Sequence, residues 1–134
     1  MDMKLELVAV PVSDVDRAKE FYLKAGFVAD HDHTVSDEMR FVQMTPPGSA
    51  CSIAFGLGLT KMTPGSLDNM QMVVADADAI QAELAERGVE VSEVDEQPWG
   101  RFVYFADPDG NGWALQQLPA WSQGAGGSGQ NPNA

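Results

Sequence analysis

The chain has 134 residues, 44% of them apolar, with three Trp and six Phe, so it can bury a packed core and is not a disordered polymer. Twenty Asp and Glu against eight Lys and Arg give a formal charge of −12, which repels phosphate backbones and anionic bilayers and argues against nucleic-acid binding or membrane docking. No apolar run reaches the ~20 residues that span a bilayer, the N-terminus MDMKLELVAV lacks the form of a signal peptide, and the single Cys51 allows no internal disulfide, so the expected compartment is the cytoplasm.

In chain order, residues 4–12 read as a strand that Pro11 confines to an edge or a strand end. Asp14 then stands where a helix N-cap belongs, and Asp16 suits the positive pole of the first turn. Val15, Ala18, Phe21, Tyr22 and Ala25 form one apolar helical face, and Gly26 stops the helix. A short strand at 26–30 leads into Asp30-His31-Asp32-His33, read as a surface loop. Two imidazoles two residues apart on a strand would point the same way and could bind a metal together, and these are the only histidines present. Strands at 39–44 and 50–57 follow, joined by Thr45-Pro-Pro-Gly-Ser. Pro sets φ and Gly accepts a positive φ there, so the stretch is a turn. Cys51 sits beside Ile53 and Phe55 as a small buried hydrophobe.

After a linker at 58–68 the same order returns. A strand at 69–74 precedes Asp76 as cap, with Ala77, Ile80 and Leu84 inward and Gly88 as the stop. A short strand is expected at 88–93, then strands 101–106 and 112–118 around the turn Asp107-Pro-Asp-Gly-Asn. Residues 7–30 lie over 69–92 at an offset of 62, with Asp14 on Asp76, Asp16 on Asp78 and Gly26 on Gly88. Arg40-Phe41-Val42 returns as Arg101-Phe102-Val103 at an offset of 61. Each half is β-α-β-β-β, and the chain reads as one α+β domain over 1–121, with modules at about 3–57 and 69–119. From Ser122 to Ala134 no apolar residue exceeds Ala, so a flexible tail is expected. Trp121, just before it, is a candidate to cover an edge or a partner.

Two such modules, the Asp-capped helix with its Phe21-Tyr22 pair and the hairpin DPDGNGWALQ together resemble the vicinal oxygen chelate superfamily. This is the glyoxalase, bleomycin-resistance protein and dioxygenase group, and the likeness spans about residues 3–119. It implies that the modules curl into a half-barrel around a pocket, and that the protein is a homodimer. It also implies metal-ligand positions, which fall on Leu7, Ser52, Asn69 and Ala114. Leu and Ala offer no lone pair, Ser a weak neutral oxygen and Asn one amide oxygen, a poor set for a divalent cation. The expectation is therefore no metal and no cofactor, with glyoxalase-like isomerisation and extradiol dioxygenation disfavoured.

Strand alternation would place Leu7, Ser52, Asn69, Gln71, Ala114 and Gln116 on pocket-facing surfaces. Trp99 and Arg101, with Arg40 as the repeat partner of Arg101, are further candidates to hold a flat or anionic ligand. No nucleophile–base set, P-loop or dinucleotide fingerprint is present. The expected function is binding of a small organic molecule, antibiotic or metabolite, in a metal-free pocket. The alternative is an enzyme of the same fold, an isomerase, lyase or hydrolase working through acid–base residues or a metal at His31 and His33. Whether the chain catalyses anything is open at this point.

Overall fold

The structure is a computed structural model describing residues 1–120; Trp121 and the expected tail lie outside the described residues. Two compact units emerge among the described residues, Met1–Asp68 with Ala106–Gly112, and Asn69–Phe105 with 113–120.

The first unit holds β1 (Leu7–Ala9), α1 (Val15–Lys24), β2 (Val28–Ser36), β3 (Met39–Thr45) and β4 (Ser52–Leu57). Its sheet runs β1-β4-β3-β2, with β1 parallel to β4 and the other pairs antiparallel. The second unit repeats the pattern with β5 (Met70–Val74), α2 (Ala77–Glu86), β6 (Asp95–Gln97), β7 (Gly100–Ala106) and β8 (Gly112–Gln117), in the order β5-β8-β7-β6. The fold is α+β, built from tandem modules. Among the described residues no helix is long and apolar enough to cross a membrane.

The two helices begin and end alike. Asp14 accepts from the Arg17 amide at 3.0 Å, and Asp76 from the Ala79 amide at 3.1 Å. Each cap fills one of the orphan N–H groups of a first turn. At the other end Gly26 (φ 101°) and Gly88 (φ 87°) take the left-handed conformation, which lets Phe27 and Val89 donate back to Tyr22 and Leu84.

Several boundaries differ from expectation. The first strand is three residues rather than nine: Leu7–Ala9 stand in register with β4, and the bonds of Glu6 and Val10 to Ser52 and Ala54 close the pairing at its two ends. β2 runs to Ser36, so the histidine stretch is strand and not loop. It is an edge strand exposed on all nine residues, and with neither side buried its sequence carries no alternation to read. Residues 88–93 are not a strand, although Ser92 trades backbone and side-chain bonds with Tyr104; the strand is Asp95–Gln97.

The face of the first sheet under α1 is the core, with Val42 and Met44 fully buried and Val10, Ile53, Phe55 and Tyr22 beside them. Arg40 seals its margin. The guanidinium donates to Asp32 of β2 at 3.0 and 2.9 Å and to Asp16 in the first turn of α1 at 2.9 Å, while Lys19 reaches Asp32 at 2.9 Å. In the second unit Arg101 donates to Asp78 of α2 at 2.8 Å and to Glu96 of β6 at 2.7 Å. One repeated arginine thus ties each helix and each edge strand to the strand between them.

The hydrogen bonds from Arg40, and then from Lys19, hold the Asp32 carboxyl well below the usual carboxylate range. A depressed carboxyl contributes stability above its unfolded value near 4, and the contribution fades as pH falls towards the folded value. Asp32→Asn should therefore cost about 1 kcal/mol at neutral pH, at the upper end for a partly exposed ion pair. Urea unfolding at pH 7 and pH 3 checks this: the gap between wild type and variant should narrow at the lower pH.

Candidate functional site

Register and alternation fix what each sheet presents on the face away from its helix. In the first unit Leu7 stands opposite Ser52, Ala9 opposite Ala54, Gln43 opposite Ala54 and Phe41 opposite Gly56. His31 pairs with Gln43 and His33 with Phe41, so both imidazoles share this face. The intervening Asp32 turns to the helix side, where it meets Arg40 and Lys19. Leu7, Ser52, Phe41, Gln43 and the two histidines thus lie on one helix-free surface.

A hydrogen-bond chain crosses that surface. The Thr45 hydroxyl donates to the Asp30 carboxylate, which can only accept, so the bond of 2.7 Å between Thr45 and Ser52 is donated by Ser52. Ser52 is buried, and its proton is committed to Thr45. Only its lone pairs remain for a further partner. Sequence reasoning missed Thr45 and Asp30, which act through Ser52 and carry no motif of their own.

In the second unit Gln71 stands opposite Ala114, and Val73 opposite Gln116. The Gln71 amide donates to Gln116 at 2.7 Å, and the Gln116 amide donates to the Trp99 carbonyl at 2.8 Å. Trp99 itself is more than half exposed. Phe102 and Tyr104 alternate with Arg101 along β7 and stack with planes 8° apart. The Tyr104 hydroxyl donates to Asp95 at 2.8 Å; burial, and then that carboxylate, push its pKa up. This helix-free face is therefore a row of amides beside an aromatic pair. Phe102, Tyr104 and Asp95 were not singled out from the sequence, although period-two reading of β7 places the two rings together.

The arginines sit elsewhere. Arg40 and Arg101 lie on the helix side of their strands with their guanidinium groups engaged by carboxylates. Asn69 precedes β5 in a positive-φ turn (φ 60°) instead of standing in the strand. The parallel pairing of the second unit is slid by two residues relative to the first. Leu7 meets Ser52, whereas Gln71 and not Asn69 meets Ala114.

The four metal-ligand positions can be tested on chemistry. Leu7 and Ala114 have no donor atom, Ser52 is tied to Thr45, and Asn69 supplies one neutral oxygen. Among the described residues no group of three or more His, Cys, Asp or Glu could hold an ion. This donor set does not fit a divalent cation. A surface depression lined by Arg17, Glu20, Phe21, Lys24 and Pro108 lies along α1 rather than on these faces.

Residues 4–115 match the profile of the Glyoxalase/Bleomycin resistance protein/Dioxygenase superfamily. An uncharacterized protein of Bacillus subtilis (strain 168), YetH, is 30% identical over 122 residues, covering 87% of this chain and all of its own. Among solved structures, TnmS3, an antibiotic binding protein from Streptomyces sp. CB03234, is 38% identical with a TM-score of 0.78, covering 88% of this chain and 98% of that one. A glyoxalase/bleomycin resistance protein from the same Streptomyces is 39% identical with a TM-score of 0.73, over 85% of this chain and all of that one.

Proposed function

The chain belongs to the glyoxalase/bleomycin resistance protein/dioxygenase superfamily, and on that premise we propose that it binds a small organic molecule, an antibiotic or a metabolite, without a metal. The observation that carries this reading is the chemistry of the helix-free faces. Where metalloenzymes of the family would need lone pairs aimed at a cation, this chain has Leu7, Ala114 and a Ser52 already hydrogen-bonded. Each unit's helix-free face carries groups suited to an organic ligand: Gln43 and Phe41 in the first, and the Gln71–Gln116 amide row, the Phe102–Tyr104 stack and the exposed Trp99 in the second. Rings give contact area, and a few amides set orientation. Likeness to a protein described as antibiotic binding supports the same class of ligand.

A second copy of the chain belongs to this reading. The unpaired backbone edge of β2 is the kind of feature that natural proteins cover by strand pairing, which leaves the faces of the strand open. Light scattering at twice the 14.4 kDa chain mass tests it.

A thermal-shift screen against antibiotics and metabolites should give hits that raise the melting temperature with occupancy. The affinity of a hit, measured by calorimetry, should stay the same in EDTA. Gln116→Leu should weaken it about tenfold, the loss of one or two hydrogen bonds. Binding that disappears in EDTA and returns with added metal would overturn the metal-free reading. Mass spectrometry of the same mixtures decides the enzyme alternative, which the Ser52–Thr45–Asp30 chain and the nearby histidines favour: a product that accumulates with time means turnover.

A further inference from the structure

We infer that His31 and His33 form a metal site of their own on β2, one that takes a single borderline divalent ion such as Ni2+, Zn2+ or Cu2+. The site is separate from the positions at which relatives hold a metal, and it goes beyond the binding of an organic molecule. Two residues apart on a strand, both imidazoles emerge on the same face. Their ring centroids are 5.7 Å apart with planes 24° apart. Two imidazoles sharing one ion, with metal–nitrogen bonds near 2.0–2.1 Å, place their centroids roughly 4.5–6 Å apart, so small side-chain rotations suffice.

Both rings are exposed, and neither makes a hydrogen bond or ion pair among the described residues, so no protein partner has to be displaced. The strand beneath them is held. Asp32, between the two, is fixed from the opposite side by Arg40 and Lys19, which keeps the backbone of the pair in place before an ion arrives. The formal charge of −12 concentrates cations around the chain.

Imidazole nitrogens without a thiolate select Zn2+, Ni2+ and Cu2+ over Mg2+ or Ca2+. Since no third His, Cys, Asp or Glu is close enough to join, water completes the coordination. The ion is therefore held reversibly.

Full-length protein without a polyhistidine tag should take up one Ni2+ per chain in calorimetry, with the ring signals of His31 and His33 shifting in 1H–15N spectra. His31→Asn and His33→Asn should each weaken binding at least about tenfold, the loss that even an outer-shell change around a metal produces. Their melting temperatures without metal should stay that of wild type, since both positions are exposed. Absence of heat and ring shifts up to ~1 mM Ni2+, or binding that survives both single substitutions, would overturn the inference. Organic-ligand affinity measured in EDTA stands or falls separately.

Discussion

Asp107→Ala should be the most damaging single substitution in this chain, lowering stability by about 3–5 kcal/mol, the scale for stripping one partner from a buried charged network. Asp107 is 5% exposed, and all four of its lone-pair directions are filled. One oxygen accepts from the backbone amides of Asp109 and Asn111, both at 3.0 Å. The other accepts from the Tyr22 hydroxyl at 2.9 Å and from the Asn111 amide at 2.8 Å. Asn111 is fully buried and sends its second amide proton to the Pro11 carbonyl at 2.8 Å, while its oxygen accepts from Leu67 at 3.1 Å. Truncation to Ala leaves two backbone donors, a hydroxyl and an amide without their acceptor. Tyr22→Phe removes only one member and should cost about 1 kcal/mol. Urea midpoints measure both, with exposed Glu90→Ala as reference. An Asp107→Ala protein as stable as that reference would show that water enters and satisfies the network.

Gly56→Ala should be nearly as severe, at about 3 kcal/mol, through overpacking against backbone. A Cβ at Gly56 would lie 1.8 Å from the Arg40 carbonyl oxygen and 2.8 Å from its carbon. Backbone cannot swing aside as a side chain can, so β3 must move off β4. Since Arg40 also ties α1 and β2 to this strand, the damage should spread across the first sheet. Hydrogen exchange would show it as faster amides in β2, β3 and β4. At Gly48 (φ 78°), where a Cβ meets nothing within 4 Å, Ala should cost only the positive-φ penalty of roughly 1–2 kcal/mol. Equal losses at the two glycines would remove the steric explanation.

The repeat made much of this architecture legible. Capping aspartates and stop glycines act within a turn of their own position, so Asp14, Gly26, Asp76 and Gly88 could be read locally, and both helices follow. The long strand β3 buries one side and announces itself by alternation, while β4 and β8 are buried on successive residues and read as short, mostly apolar runs between turns. β2 did neither, since its stability comes from pairing with β3 and from Asp32, not from an apolar face of its own. The slide between β5 and β8 was equally hidden, because moving a strand by two residues leaves every side chain on its original face. The ion pairs of Arg40 and Arg101 with the helices were hidden for a different reason. Their partners on the helices, Asp16 and Asp78, lie 24 and 23 residues away, beyond any local window. The clue was nonetheless present: Asp16 repeats as Asp78 in the same alignment that repeats Arg40 as Arg101, and a charge pair copied together is a bond copied together.

The turn that closes the second module, Ala106–Gly112, is counted among the residues of the first unit, where its Asp107, Asp109 and Asn111 grip Tyr22, Ser13 and Pro11. Its counterpart, Thr45-Pro-Pro-Gly-Ser, has neither an acid nor an amide to return the gesture. What began as two equal copies has become a donor and a recipient. Severing the polypeptide at residue 68 would therefore not release an autonomous half; it would yield a fragment missing the plug beneath its own helix.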